Sequence, residues 1–265
     1  MTDRIVLLTE AYRQARAGLG FLDSNLWIGR PRLPEFATGF DLPALRQRLG
    51  RYGIRGGVVS HFAARDCDPC WGNAQLLEAL AGTGLWAGVV LLPESLEAGQ
   101  GYLQEVVSRG ARLARLFPAA HNYSLRSWCS GKLLQALSDF CLPLVLWHTE
   151  ASWEEVRSLC ESYPELPILI EGTPRKILYY NRLFYPLLER YPNLHLELHN
   201  LVSFLGIEDI VARFGAGHLI YGSYMPVYYP NATMMQVTHA RIAEEDKVRI
   251  ARENLASLIA GVRTP

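Results

Sequence analysis

The sequence has few of the features that mark specialised classes of protein. Its 26 Lys and Arg residues balance 26 Asp and Glu residues, so we expect neither a nucleic-acid partner nor an electrostatically held membrane protein. No apolar run reaches about 18 residues, the length that a membrane-spanning helix needs. Residues 1–22 also lack the uninterrupted apolar core and the cleavage site of a signal peptide.

Cysteine is scarce as well. The chain has five cysteines, an odd number in a chain too long to need disulfide stapling, and we expect reduced thiols in a cytoplasmic protein. Cys67 and Cys70 have the C-x-x-C spacing of redox pairs and half zinc sites, but no second pair accompanies them. We expect this motif in a loop, not at a helix N-terminus, and favour ordinary thiols.

The pattern that dominates the sequence is alternation of short apolar, β-prone runs with longer amphipathic stretches. The 265 residues are 49% hydrophobic and 20% charged, as in ordinary globular enzymes. The runs begin about every 24 to 36 residues, which suits one βα unit per repeat. The predicted strands are Gly20–Ile28, Gly56–Ser60, Trp86–Leu91, Ala111–Leu116, Leu142–His148, Pro167–Glu171, Leu194–Leu198 and His218–Gly222.

Eight such units predict an α/β protein with a parallel sheet closed into one (β/α)8 TIM barrel. An extra N-terminal helix over Ile5–Ala17 precedes the first strand, and Asp41 and Gly53 are placed to cap the next helix. We interpret Gly29–Gly39 as a long first loop and not as a linker. Residues 1–265 are therefore predicted to form a single domain.

Polar residues gather where the predicted strands end, which is where barrel enzymes place their active sites. Four of the seven histidines lie at or just beyond these ends: His61, His121, His148 and His199. Polar side chains at strand ends can simply cap a barrel, but a group of this size predicts a pocket that transfers protons or binds an anion.

Three segments resemble the amidohydrolase superfamily, in particular its branch of small decarboxylases and lactone hydrolases. Phe21–Gly29 resembles the first-strand motif, in which Asp-x-His-x-His precedes Ile/Val-Gly, and His218–Pro226 resembles the eighth-strand segment Leu-Phe-Gly-Ser-Asp-x-Pro. Ile250–Ile259 resembles the terminal helix of the family. The resemblance covers nearly the whole chain.

The resemblance implies a centre of one or two divalent metals, held by histidines and an aspartate at the ends of strands one, five, six and eight. In this sequence those positions hold Asn25, Trp27, His148, Gly172 (or Glu171 if the register is shifted by one residue) and Tyr224. A catalytic zinc needs about three ligands from His, Cys or carboxylate, so a degenerate metal site without a cofactor is expected. A relocated zinc on His148, Glu171 and His199, with His61 across the mouth, is the alternative.

Arg115 ends the fourth strand. Its guanidinium suits a carboxylate or phosphate ligand, and the alternative is a salt bridge to Glu197 or Glu171 inside the mouth.

Three hypotheses of function follow. The favoured one is a hydrolase or lyase that acts without the usual metal on a small carboxylated or lactone-like molecule. In it His148, His199 or His61 serves as acid or base and Arg115 binds the anion. Further residues expected to bind the substrate are Asn25, Trp27, His121, Glu171 and Tyr224. The other two are a non-catalytic ligand-binding barrel and a metal hydrolase with relocated ligands. A homodimer through the outer helices is left open.

Overall fold

Eight parallel strands follow one another around a sheet in the order β1 to β8 in the computed structural model of the chain. The structure describes residues 2–32, 40–96, 99–172, 175–177 and 180–263. The strands are β1 Leu22–Ile28, β2 Gly56–His61, β3 Trp86–Val90, β4 Ala111–Leu116, β5 Leu144–Trp147, β6 Ile168–Glu171, β7 Leu194–Glu197 and β8 Leu219–Ile220. Each strand begins and ends within two residues of the ends of a run that the sequence predicted as a strand.

The sheet is nearly closed into a barrel. Backbone N–H groups of Ser24 and Trp27 donate to the carbonyls of Tyr221 (3.1 Å) and Met225 (2.9 Å), and these bonds join β1 to the segment around β8. The predicted α/β TIM-barrel fold is therefore confirmed.

Helices alternate with the strands. They are α1 Thr2–Leu19, α2 Leu42–Tyr52, α3 Phe62–Asp66, α4 Pro69–Leu80, α5 Gly101–Ser108, α6 Ser127–Asp139, α7 Trp153–Ser162, α8 Asn181–Arg190, α9 Gly206–Phe214, α10 Asn231–His239, α11 Glu244–Val248 and α12 Asn254–Ala260. The predicted N-terminal helix is present and longer at both ends. The caps of α2 are those expected, since Asp41 accepts a hydrogen bond from the N–H of Ala44 and Gly53 has a φ of 65°.

Two of the predicted loops are not confirmed by the structure. The loop predicted for Cys67 and Cys70 is wrong for Cys70, which lies in the first turn of α4 because Asp68 caps this helix and Pro69 opens it. Most of the loop interpreted over Gly29–Gly39 lies outside the described residues.

The interior of the barrel has two levels. At the amino ends of the strands, apolar side chains such as Val58, Leu113, Val145, Leu169 and Ile220 fill the centre and pack on α12. At the carboxyl ends, the buried side chains are polar and aromatic. Among the described helices, none has the length and apolar character needed to cross a membrane.

Candidate functional site

A buried polar cluster surrounds Arg115 at the carboxyl end of the barrel. Nη1 of Arg115 lies 2.6 Å from Oε2 of Glu171, so the salt bridge to Glu171 that was the alternative to anion binding by Arg115 is present. Nε of the same guanidinium donates to Oγ of Ser60 (2.7 Å), and Nη2 donates to the carbonyl of Ser24 (3.0 Å). All four residues are fully buried. One guanidinium thus joins β1, β2, β4 and β6.

Two further carboxyl groups, those of Asp23 and Glu197, are fully buried in this cluster. Oδ1 of Asp23 accepts from two backbone N–H groups, one of them that of Asn25 at 3.0 Å. Oε1 of Glu197 accepts from the N–H of His199 at 2.8 Å. The second oxygens of Asp23 and Glu197, and Oε1 of Glu171, have no hydrogen-bond partner among the described residues. Three buried acids therefore lie in a cluster that has one guanidinium, and that guanidinium pairs with Glu171.

Burial governs the protonation of these acids. It raises the pKa of Asp23 to about 6. Burial, with the neighbouring Glu171 as a second cause, raises the pKa of Glu197 well above its usual range. Burial also raises the pKa of Glu171, and the Arg115 guanidinium opposes that shift. The cluster can therefore hold protons on carboxyl groups near neutral pH.

An aromatic layer covers the polar cluster. It consists of Trp27, Phe62, Phe117, Trp147 and Tyr224, each at most 2% exposed. The ring of Trp27 stacks on Phe62 with centroids 4.8 Å apart, and Phe117 meets Trp147 edge-on at 5.0 Å. The indole N–H of Trp27 donates to Oδ1 of Asn25 (2.7 Å). That of Trp147 donates to Oε2 of Glu171 (3.1 Å). The layer closes the barrel mouth over the cluster.

The divalent metal that the family resemblance implies does not fit the residues at these positions. Trp27 has no lone pair to offer, and the amide oxygen of Asn25 already accepts the indole N–H. Tyr224 is held in the aromatic layer, where burial raises its phenol pKa above the ordinary value. In the part of the chain that the structure describes, no three of His, Cys, Asp and Glu are grouped so that they could hold one metal ion.

His148 lies outside the barrel centre. Side chains alternate along a strand, and Trp147 is the residue of β5 that faces inward. Nε2 of His148 lies 2.8 Å from the carbonyl of Arg175, and its ring lies 6.0 Å from that of Tyr180. The side chain lines a groove with Trp153 on the outer surface. The catalytic role of His148 stays a prediction, but the structure does not bring it to the polar cluster.

The remaining predicted histidines differ in their surroundings. His199 is buried beside Tyr228, with ring centroids 4.6 Å apart, and burial lowers its pKa to about 4. Its Nε2 has no partner among the described residues. His61 caps α3, because its Nδ1 accepts from the N–H of Ala63 at 3.1 Å. His199 is therefore neutral near pH 7. Nδ1 of His61 already accepts a backbone hydrogen bond, which leaves only Nε2 for other partners.

A cavity of about 670 Å³ opens on the outer side of the aromatic layer. The Arg65 guanidinium lies over the ring of Trp147, 4.1 Å from its centroid, and pairs with Asp66 at 2.7 Å. Asp66 also accepts from the backbone N–H of Arg32 (3.1 Å), and Nε2 of His121 lies 2.7 Å from the carbonyl of Arg65. The lining residues are Arg32, Arg65, Asp66, Cys67, Pro69, Leu92, Ala120 and His121.

Charged residues of this region that were not among the predicted site residues are Asp23, Glu197, Arg32, Arg65 and Asp66, although Glu197 was named as a possible partner of Arg115. The sequence does mark Asp23 and Glu197, because each is a charged residue inside an apolar strand run, and such residues are rarely buried without a role. It does not mark Arg65 and Asp66, since they lie in α3, which carries no motif.

Solved structures share the fold. Amidohydrolase 2 from Bifidobacterium longum subsp. infantis is 17% identical, with a TM-score of 0.67, covering 91% of this chain and 98% of the other. 5-Carboxyvanillate decarboxylase from Sphingomonas paucimobilis is 12% identical, with a TM-score of 0.73 and coverage of 91% and 99%. Dihydroxybenzoic acid decarboxylase from Polaromonas sp. JS666, solved with bound manganese, is 14% identical, with a TM-score of 0.68 and coverage of 91% and 97%.

The resemblance drawn from the sequence motifs is thus confirmed as a likeness in fold to structures that carry amidohydrolase and decarboxylase names. No family model matches the chain, and neither does any curated protein.

Proposed function

We propose that the chain binds a small organic carboxylate in the cavity beside Arg65, through arginine and without a metal. The observation that carries this proposal is the aromatic layer, which is buried and separates the cavity from the carboxyl groups of the polar cluster. In the cavity, Arg32 and Arg65 face one carboxylate, Asp66, so one positive charge is in excess. An excess cation in a cavity of this size favours a small anion.

Arg65 is the residue best placed to hold the carboxylate. Its guanidinium is fixed in place by Trp147, over which it lies, and by Asp66, which accepts from Nη1. A guanidinium that is already ordered loses little freedom when it binds a planar anion. Pro69, Leu92 and Ala120 give the cavity an apolar wall suited to the carbon skeleton of the ligand.

Binding is favoured over catalysis because Asp66 and Nε2 of His121 are engaged within the cavity, whereas the buried atoms left without a partner among the described residues are Nε of Arg65, which is a donor, and Nδ1 of His121. Nε2 of His121 is held by the Arg65 carbonyl, and Asp66 accepts from Arg65 and from the N–H of Arg32. A general acid or base must reach the proton that it transfers. The carboxyls with raised pKa values lie beneath the aromatic layer.

Calorimetric titration with 5-carboxyvanillate, the compound named for one structural neighbour, tests the proposal. We expect binding by the wild-type protein and a dissociation constant raised about tenfold or more in Arg65→Gln, since a charge-assisted pair is lost. The dimethyl ester, in which both carboxyl groups are esterified and no carboxylate charge is left, should bind less tightly. Arg190→Gln is the matched control, because the Arg190 side chain is 70% exposed on α8. Equal affinity in Arg65→Gln, or tighter binding of the ester, would contradict the proposal.

A metal-independent hydrolase or lyase is the second candidate. The likeness in fold to decarboxylases supports it, and so do the buried carboxyl groups of Asp23 and Glu197 with raised pKa values. The aromatic layer would have to open for a substrate to reach them. Loss of CO₂ from 5-carboxyvanillate, followed in the presence of a chelator, tests this candidate.

Turnover that falls about 100-fold or more in Asp23→Asn, and not in His148→Ala, would favour this enzyme over a binding protein. Turnover that vanishes in His148→Ala would return His148 to a catalytic role. Binding without turnover supports the first proposal.

A further inference from the structure

The first half of α1 exposes apolar side chains. Ile5, Val6, Leu7 and Leu8 are consecutive and between 59% and 70% exposed. The helix contacts α10 further along, where Oη of Tyr12 donates to Oδ1 of Asn231 at 3.1 Å. Residues four and seven positions before Tyr12 lie on the same helix face, so Ile5 and Leu8 continue the packing face beyond this contact.

A second apolar surface lies on the other side of α10. Phe204, in the loop that follows β7, is 92% exposed, and Leu205 and Met235 are nearly half exposed. Leu205 and Met235 border a groove of about 200 Å³ between α9 and α10. His239 also lines this groove, and its ring stacks on Tyr12 of α1 at 6.2 Å. The two surfaces are therefore neighbours, with α10 between them.

The first half of α1 and the surface around the groove between α9 and α10 are together called the α1/α10 face. This face exposes more apolar side chains than is usual for a solvent-exposed protein surface. Seven large apolar side chains on it are about half exposed or more: Ile5, Val6, Leu7, Leu8, Phe204, Leu205 and Met235. Monomeric proteins rarely expose one contiguous apolar patch beyond roughly 300–600 Å². A stable interface needs roughly 800 Å² from each partner, and side chains of this number and size supply most of that area.

We propose that the α1/α10 face is the interface of a homodimer, in which the first turns of α1 of each copy pack on the groove of the other. A second copy fits because one chain carries both an exposed apolar helix and a groove that Leu205 and Met235 border with apolar side chains. In a dimer with two-fold symmetry, the helix of each copy covers the groove of the other, so both surfaces of both copies are buried. The equal numbers of basic and acidic residues, 26 and 26, leave two copies without net repulsion. They also offer no excess positive charge to attract an anionic membrane.

Sedimentation equilibrium of the full chain tests this inference, with Leu7→Glu and Phe204→Glu as separate variants. We expect a wild-type dimer at about 10 µM and a dissociation constant raised about 100-fold or more in either variant, because a charge is placed in an apolar contact. Both side chains are mostly exposed, so neither substitution removes core packing. Leu183→Glu on α8 is the matched control, since Leu183 is 49% exposed away from this face.

A monomeric wild-type protein at about 100 µM, or a dimer that neither variant weakens, would overturn the inference. Co-sedimentation of a monomeric wild-type protein with phosphatidylcholine vesicles, abolished by Leu7→Glu, would assign the face to a membrane instead and would also overturn it. Binding of 5-carboxyvanillate is measured separately at the Arg65 cavity, so neither proposal depends on the other.

Discussion

The carboxyl group of Asp23 shows how burial controls a single residue. It is fully buried, its Oδ2 has no partner among the described residues, and burial raises its pKa to about 6. An unfolded Asp has a pKa of about 3.9, so the folded state binds this proton more tightly than the unfolded state. Its contribution to stability is therefore fully present below about pH 4 and is lost as the pH rises to about 6.

Asp23→Asn should remove this pH dependence. The amide keeps an oxygen that can accept from the N–H groups of Asn25 and Ser223, but it cannot ionise. We expect the free energy of unfolding of the variant, relative to wild type, to rise by roughly 2 kcal/mol between pH 4 and pH 7. Urea denaturation at each pH measures it. A difference that stays constant with pH would contradict the raised pKa, and Asp139→Asn on α6 controls for loss of one carboxylate at the surface.

Arg115 links several elements of the barrel. Its guanidinium joins its own strand β4 to three others through Glu171, Ser60 and the carbonyl of Ser24. Arg115→Met leaves the carboxyl of Glu171 buried without its cation. Removal of one partner of a buried ion pair typically costs about 3–5 kcal/mol, and we expect a loss of that size in the free energy of unfolding. Chemical denaturation at pH 7 measures the loss.

The double variant Arg115→Met/Glu171→Gln should recover part of that loss, because the uncompensated charge is gone. If the double variant is no more stable than Arg115→Met alone, the ion pair is not what holds these strands together. Arg112→Met on the same strand serves as the control, since its guanidinium donates to backbone carbonyls at the barrel surface.

The elements of the barrel could be predicted because their signals are local. Apolar runs fixed the position of each strand to within a residue or two, and Asp41 and Gly53 marked the ends of α2. The inward face of each strand could not be predicted in the same way. Leu144–Trp147 is a continuous apolar run without alternation, as in strands buried on both faces, so nothing local shows that Trp147 and not His148 faces inward.

The cavity beside Arg65 was beyond prediction for a different reason. It depends on contacts between residues far apart in sequence, such as Arg65 over Trp147 and His121 against the Arg65 carbonyl. Asp23 and Glu197 were visible as charges within apolar strands, but their burial around one guanidinium required the closed barrel.

At the scale of the whole molecule, the carboxyl end of the barrel has an internal cation of its own. Positions that hold metal ligands in the family that the sequence resembles carry Asn25, Trp27 and Tyr224, and the Arg115 guanidinium lies among the buried carboxyls. A bound metal stabilises a fold by mass action, so its removal lowers the unfolding midpoint. Because the Arg115 guanidinium already pairs with the carboxylate of Glu171, where a relocated metal would bind, we expect the stability of the whole barrel to be independent of divalent metal.

Thermal unfolding before and after exhaustive dialysis against EDTA measures this independence in the wild-type protein. We expect midpoints that agree within about 1 °C, because a shift of about 2–4 °C corresponds to 1 kcal/mol in a chain of this size. Addition of zinc or manganese to the dialysed protein should leave the midpoint unchanged as well. A midpoint that falls by several degrees in EDTA and returns with metal would mean that relocated ligands bind a metal after all. The same cycle on His148→Ala and Glu171→Gln would then identify those ligands.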